Sequence, residues 1–245
     1  MYQFFVEPER IGAEQAVITG ADVNHIRNVL RMKPGEAVRV SDGNGSCYDG
    51  VIETLLSDEV VVRLSGEKIE STELPVETVL FLGLPKSDKM ELIIQKNTEL
   101  GVSAIVPVAT SRAVVKLDEK KADSKVKRWT GIAEAAAKQS KRTLIPEVRS
   151  VVSFKQALLE ASAFDVKLMP YENAEGMAFT RKCIGEIKPG AKVAIFIGPE
   201  GGFSEEEVAA ASEAGFVPIT LGRRILRTET AGMSVMSMLT YALEM

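Results

Sequence analysis

The hydrophobic pattern changes character near residue 75. Before it, apolar residues come in short runs, "YQFFV", "AVRVSD", "CYDGVIETLL" and "EVVVRL", separated by polar turns such as "DGNGS" and "SDE". Val-rich and aromatic runs bounded by Gly, Asn, Asp and Ser predict strands joined by tight turns. One helical stretch, Asp22 to Met32, interrupts them and is ended by Pro34-Gly35. The prediction is a small β-barrel or sheet module, followed by a polar linker, "SGEKIESTELP".

From Glu77 onward, continuous apolar strands alternate with longer helical stretches. "TVLFLGL" leads into Ser87–Gly101, where Met90, Ile93, Ile94, Asn97 and Leu100 keep helical spacing and Gly101 suits a C′ cap. "AIVPVA" and a basic helical stretch ending near Arg142 follow, then the strands "FDVKLMP", "KVAIFIG" and "VPITLG" and a final helix from Thr228 to about Leu243. Continuous apolar strands separated by helices predict an α/β fold with a mostly parallel sheet covered on both faces.

Ligands of open parallel sheets sit beyond the carboxyl ends of the strands. Three such ends are chemically distinctive: "LMPYEN", "IFIGPEGGF" and "TLGRRILRTETA". Their glycines, Gly198, Gly201, Gly202 and Gly222, either bring backbone close to a ligand or simply make tight turns. A glycine loop before a helix usually cradles phosphate. This one is crowded by Glu200, Glu205, Glu206 and Glu207, and Ser204 with Glu207 has the pattern of a capping box that uses the helix's own donors. No G-x-x-x-x-G-K-[ST] and no G-x-G-x-x-G in a strand-to-helix turn is present. A cationic, phosphate-free adenosyl compound such as S-adenosylmethionine fits better than a nucleotide.

Composition narrows the classes further. The 245 residues are 45% hydrophobic and 26% charged, an ordinary globular balance. No apolar run approaches the ~20 residues of a membrane helix, and "MYQFFVEPER" lacks the basic and apolar regions of a secretory signal. The expectation is a cytoplasmic protein with no membrane partner. Two cysteines, Cys47 and Cys183, and one histidine, His25, argue against a metal site. The net charge is −4, yet Arg112 to Arg142 holds ten Lys or Arg against four Asp or Glu, and "HIRNVLRMKPG" gathers Arg27, Arg31 and Lys33. Such islands suit a polyanionic partner or a solvated helix face. Trp129, within the larger island, is a candidate for base stacking or for the core.

The stretches "IGPEGGFSEEEV" (197–208), "LGRRILRTETA" (221–231), "KNTELGVSAIVPV" (96–108) and "HIRNVLRMKPGE" (25–36) together resemble the RsmE family. These are bacterial methyltransferases of small-subunit (16S) rRNA that modify N3 of a uridine. The resemblance implies a PUA-like RNA-binding β-barrel over residues 1–72 and a SPOUT methyltransferase domain over 73–245. It also implies a C-terminal trefoil knot, a homodimer, S-adenosylmethionine as cofactor, and 16S rRNA within the small ribosomal subunit as partner. General topology rules would reject a knot, so that expectation rests on the resemblance alone. The resemblance assigns Pro170, Ile197, Gly198, Gly202, Leu221, Gly222, Ile225, Leu226 and Thr230 to the cofactor cleft. RNA contacts would fall to Arg27, Arg31, Lys33, Arg112, Lys138, Arg142, Arg223 and Arg224. The small and Met residues of the final helix suit either a dimer face or ordinary core.

Methyl transfer from a sulfonium needs mainly alignment. Uridine N3 carries a proton, so either a carboxylate removes it or a cation near O2 or O4 stabilises the developing anion. Glu229 and Glu200 are candidates for the first role and Arg227 for the second. Their ordinary alternatives are a helix-start acid for Glu229 and an ion pair for Arg227. A C5 methylation would need a cysteine nucleophile, and neither cysteine neighbours the glycine loops in sequence. Ribose 2′-O-methylation, a non-catalytic ribosome-assembly protein and a nicotinamide enzyme are the competing readings.

Overall fold

The computed structural model describes residues 1–86, 88–115, 117–172 and 174–244. The expected helix start at Ser87, Lys116 of the basic island, Asn173 of "LMPYEN" and Met245 lie outside the described residues. Contacts divide the chain into two compact units, Met1–Glu73 with Ala137–Ile145, and Leu74–Ala136 with Pro146–Met245. Grouping 137–145 with the N-terminal residues departs from the single boundary at residue 72 read from the sequence.

The first unit holds β1 (Tyr2–Phe5), β2 (Gln15–Thr19), a short helix α1 (Ala21–Asn24), β3 (Ala37–Ser41), β4 (Cys47–Leu55) and β5 (Glu59–Lys68). They form one sheet in the order β1-β3-β4-β5-β2, with β1 parallel to β3 and the other neighbours antiparallel. Alternate residues Val38 and Val40, and Val60 and Val62, are fully buried, as a period-two pattern requires of a sheet with one covered face. Three expectations change. β2 is a strand beyond those expected, and β5 runs into the stretch read as a linker. The helix expected over 22–32 is one turn of α-helix and a π turn at His25–Val29, after which Arg31 adopts a left-handed φ of 54°.

The segment after residue 136 is clipped into this unit by polar contacts. Glu73 receives Nε of Arg142 at 3.0 Å, a second, short contact from Nη2, and the backbone N–H groups of Thr143 and Leu144 at 3.0 and 3.1 Å. Gln3 donates to the Arg142 carbonyl, and Ser41 Oγ to that of Thr143.

The second unit contains β6 (Glu77–Gly83), α2 (Lys89–Glu99), β7 (Ala104–Ala109), α3 (Glu119–Ser140, whose final residues belong to the clipped segment), β8 (Glu147–Val148) and β9 (Val152–Ser153). It continues with α4 (Phe154–Ala161), β10 (Val166–Pro170), α5 (Met177–Gly185), β11 (Lys192–Ile197), α6 (Glu205–Glu213), β12 (Val217–Ile219) and α7 (Thr228–Glu244). Every pairing is parallel, in the order β12-β10-β11-β6-β7-β8, with β9 also on β7. This is the sheet that the continuous apolar runs predicted. Along β6, Leu80 and Leu82 enter one core, with Ile93 of α2 and Val235 and Leu239 of α7; Val79 and Phe81 enter the other, with Ala157 of α4 and Ala211 of α6. Gly101, at φ 95°, follows α2 as expected of a C′ residue. Trp129 is 3% exposed and belongs to the core, which decides against base stacking.

Candidate active site

The strand order places the ends of β12, β10 and β11 side by side, and the loops leaving them surround a cleft of about 540 Å³. That volume falls within the ~300–1,000 Å³ of small-molecule sites. Pro170 enters the wall from β10, and Ile197, Gly198 and Gly202 from β11. The β12 loop contributes Leu221, Gly222, Ile225 and Leu226. Eight of the nine residues expected to hold the cofactor therefore meet on one wall. Thr230 is not among the lining residues; Ala231, one position further along α7, takes that place.

Glycine is required here for identifiable reasons. Gly202 and Gly222 have φ of 64° and 119°, and a Cβ on either would meet no atom within 4 Å, so the space beside both is open. On Gly198 a Cβ would lie 3.1 Å from Gly202 Cα, within a turn closed by the bond from Gly202 N–H to the Pro199 carbonyl. Thr180 of α5 fixes the last loop, donating its hydroxyl to the Thr220 carbonyl at 3.0 Å and accepting the Thr220 N–H at 3.1 Å. At the end of β6, a Cβ on Gly83 would stand 2.5 Å from Pro199 Cδ and 2.7 Å from its nitrogen. Gly83→Ala must therefore displace the glycine loop. It is expected to destabilise the fold by about 1–3 kcal/mol, read as a lower denaturant midpoint at unchanged slope.

The charges on this wall differ from the sequence expectation. Glu205 and Glu206 are exposed on α6, while Glu207 is buried and accepts the N–H groups of Ser111 and Ser204 at 2.7 and 3.0 Å. The lining residues include Lys89, Arg112, Arg223, Arg224 and Arg227 against only Glu172 and Glu200. The surroundings are thus basic, which overturns the view that they repel phosphate. Arg112 donates to the Gly201 carbonyl at 3.1 Å. Arg223, Arg224 and Arg227 are exposed, and among the described residues their side chains make no hydrogen bond or ion pair.

Glu200 is held by the Lys86 N–H at 3.0 Å and by the Lys89 ammonium at 3.1 Å. Burial pushes its carboxyl up, but its own N–H, that of Lys86 and the ammonium together outweigh burial and leave it below the usual carboxylate range. A carboxylate so stabilised is a poor proton acceptor. Glu229 does not line the cleft; its side chain reaches Lys89 instead, at 3.4 Å. Of the two glutamates expected to remove the N3 proton, Glu200 therefore lines the cleft as a stabilised carboxylate and Glu229 stands off it.

Residues 72–240 match the model of an RNA methyltransferase domain, and residues 18–65 that of an RNA methyltransferase PUA domain. Ribosomal RNA small subunit methyltransferase E of Bacillus subtilis is 39% identical to the chain, over 100% of the chain and 98% of the relative. The chain belongs to the ribosomal RNA small subunit methyltransferase E family. The methyltransferase E of Mesomycoplasma hyopneumoniae is 32% identical, over 97% of this chain and 98% of its own. The crystal structure of the methyltransferase E of Neisseria gonorrhoeae bound to S-adenosyl methionine superposes with a TM-score of 0.85 at 31% identity, covering 98% of this chain and 97% of that one.

The basic residues expected to contact RNA fare unevenly in this methyltransferase E family member. Arg142 is 3% exposed and committed to Glu73, so its charge is not offered to a polyanion. Lys138 is ion-paired with Asp22 at 3.0 Å. Arg27 is exposed while donating to the Ser57 carbonyl, and Arg31 and Lys33 are exposed. Cys47 is buried and Cys183 half-buried; burial pushes both thiols up, and neither lines the cleft, so no nucleophilic cysteine is on hand. Among the described residues, no cluster of His, Cys, Asp and Glu is placed to hold a metal ion, and no helix is long and apolar enough to cross a membrane. The residue that sequence reasoning missed is Lys89; its one signal is a lysine at the start of α2, in "KSDKM".

The lowered carboxyl of Glu200 has a consequence for acid stability. Its contribution is full above the unfolded value, about 4.3, and is lost as pH falls through the lower folded value. Wild type should therefore melt above Glu200→Gln at pH 7, and the gap should close as pH drops below about 4, in parallel thermal scans.

Proposed function

We propose that the protein is an S-adenosylmethionine-dependent methyltransferase that methylates N3 of a specific uridine in small-subunit (16S) rRNA. The observation that carries this reading is the full-length relationship to methyltransferase E proteins, coupled to a glycine-walled cleft at three adjacent strand ends. The residues present fit the cofactor: the wall is apolar at Ile197, Leu221, Ile225 and Leu226, with open space beside Gly202 and Gly222. When bound, S-adenosylmethionine supplies an activated methyl group on a cationic sulfur. The apolar side chains hold the adenine, and the glycines let backbone approach it.

Arg227 holds a uracil carbonyl oxygen and stabilises the negative charge left when N3 releases its proton to water. Arg112, Arg223 and Arg224 draw in the phosphates of the target strand, and Arg27, Arg31 and Lys33 of the first unit extend the RNA contact. In this reading the first unit is a PUA-like RNA-binding barrel and the second a SPOUT domain with a C-terminal trefoil knot. The protein works in the cytoplasm as a homodimer on rRNA within the small subunit.

The deciding experiment is mass spectrometry of 16S rRNA nucleosides from cells lacking the protein. 3-Methyluridine should vanish and return with the wild-type gene. A missing methyl on ribose, or no change, would overturn the proposal.

A further inference from the structure

Lys89 opens α2 and stands on the cleft wall. Its ammonium lies 3.1 Å from Glu200 Oε1, on the loop after β11, and 3.4 Å from Glu229 Oε2, in the first turn of α7. Glu229 is 15% exposed at its side chain, and its Oε2 is buried without an aligned hydrogen bond, so the ammonium is what offsets its charge. Arg227 shares this wall with Glu200 and precedes Glu229 by two positions, yet its guanidinium is unpaired among the described residues. Bonds between guanidinium and carboxylate are among the strongest available, often bidentate, and a guanidinium held that way is not available to a substrate.

We propose that Lys89 is a positioning residue for Arg227: by engaging Glu200 and Glu229 together, it keeps both carboxylates from capturing that guanidinium. The inference rests on the role given to Arg227 above. An ammonium suits the task, being a compact charge with three donors that serves two acceptors from different segments. Glu200 in turn keeps Lys89 charged, raising it above the ordinary lysine value. The other cations of the wall are placed otherwise: Arg112 is bonded to the Gly201 carbonyl, and Arg223 and Arg224 are exposed. Lys89 is the cation on this wall that the structure pairs with these two carboxylates.

The test uses the full-length protein with 16S rRNA and S-adenosylmethionine, measuring kcat, the KM for RNA and cofactor affinity by calorimetry. Lys89→Met is expected to lower kcat about tenfold or more, with KM and cofactor affinity within about threefold. The triple variant K89M/E200Q/E229Q removes the released charges and should recover kcat to within about threefold of wild type. A purely architectural lysine would instead lower cofactor affinity and the melting temperature of K89M along with kcat, so both are read beside the rates. Lys89→Gln, uncharged and still a donor, gives the same reading should K89M not fold. Full kcat in K89M, or a triple variant no better than K89M, overturns the inference. Arg227→Ala is measured alongside. If it keeps full kcat, the role of Arg227 falls and takes this inference with it; if it loses kcat while K89M does not, only the inference falls.

Discussion

Arg227→Ala is expected to lower kcat for methylation of 16S rRNA by about 10²–10³-fold, while cofactor affinity stays within about threefold. The side chain is exposed on the cleft wall and bonded to nothing among the described residues, so its removal strands no buried partner and should leave stability unchanged. The effect falls on the chemical step because charge reaches the uracil oxygens only as N3 loses its proton. Raising the pH should narrow the deficit, since solvent hydroxide then does part of what the guanidinium did. Single-turnover rates with labelled cofactor across a pH series would check both points. An equal loss at every pH would place Arg227 in binding instead.

Phe196→Ala should give the largest loss of stability, about 3–5 kcal/mol, out of the ~5–15 kcal/mol typical of a folded protein. Phe196 lies in β11 with no exposed surface, and its ring centroid is 4.5 Å from that of Phe216, 5.0 Å from Phe81 and 5.4 Å from Phe154. Removing it leaves a cavity among rings from separate elements, Phe81 in β6, Phe154 at the start of α4 and Phe216 just before β12, which cannot all close inward. Phe203, 6.0 Å away, also lines the cleft, so cofactor affinity should fall together with the denaturant midpoint. Loss of stability with unchanged affinity would mean that the glycine loop is supported independently of this aromatic cluster.

The parallel sheet was readable because its strands are covered on both faces, which leaves continuous apolar runs that no surface element imitates. The cleft was readable for a related reason: glycines at strand ends are visible in sequence, and adjacency follows from strand order. Charge was much less readable. The basic island ending at Arg142 looks uniform along the chain, yet Arg142 meets Glu73 at a separation of 69 residues and Lys138 meets Asp22 at 116. Counting charges cannot distinguish a solvated cation from one already neutralised by a distant acid. Lys89 escaped notice because its two partners, one on the loop after β11 and one in the first turn of α7, lie more than a hundred residues further along the chain. β2 escaped because "QAVIT" has only three apolar residues between polar ends and no aromatic, so its pairing with β5 is what makes it a strand.

The Glu73–Arg142 clip also bears on how the N-terminal module can be inherited. A gene break after residue 73 would carry off a carboxylate without its counter-ion, together with a sheet lacking the segment bonded to Gln3 and Ser41. Moving this module alone would take three junctions, after residues 73, 136 and 145. The module's fold thus depends on a short stretch of gene that lies inside the span encoding the other unit.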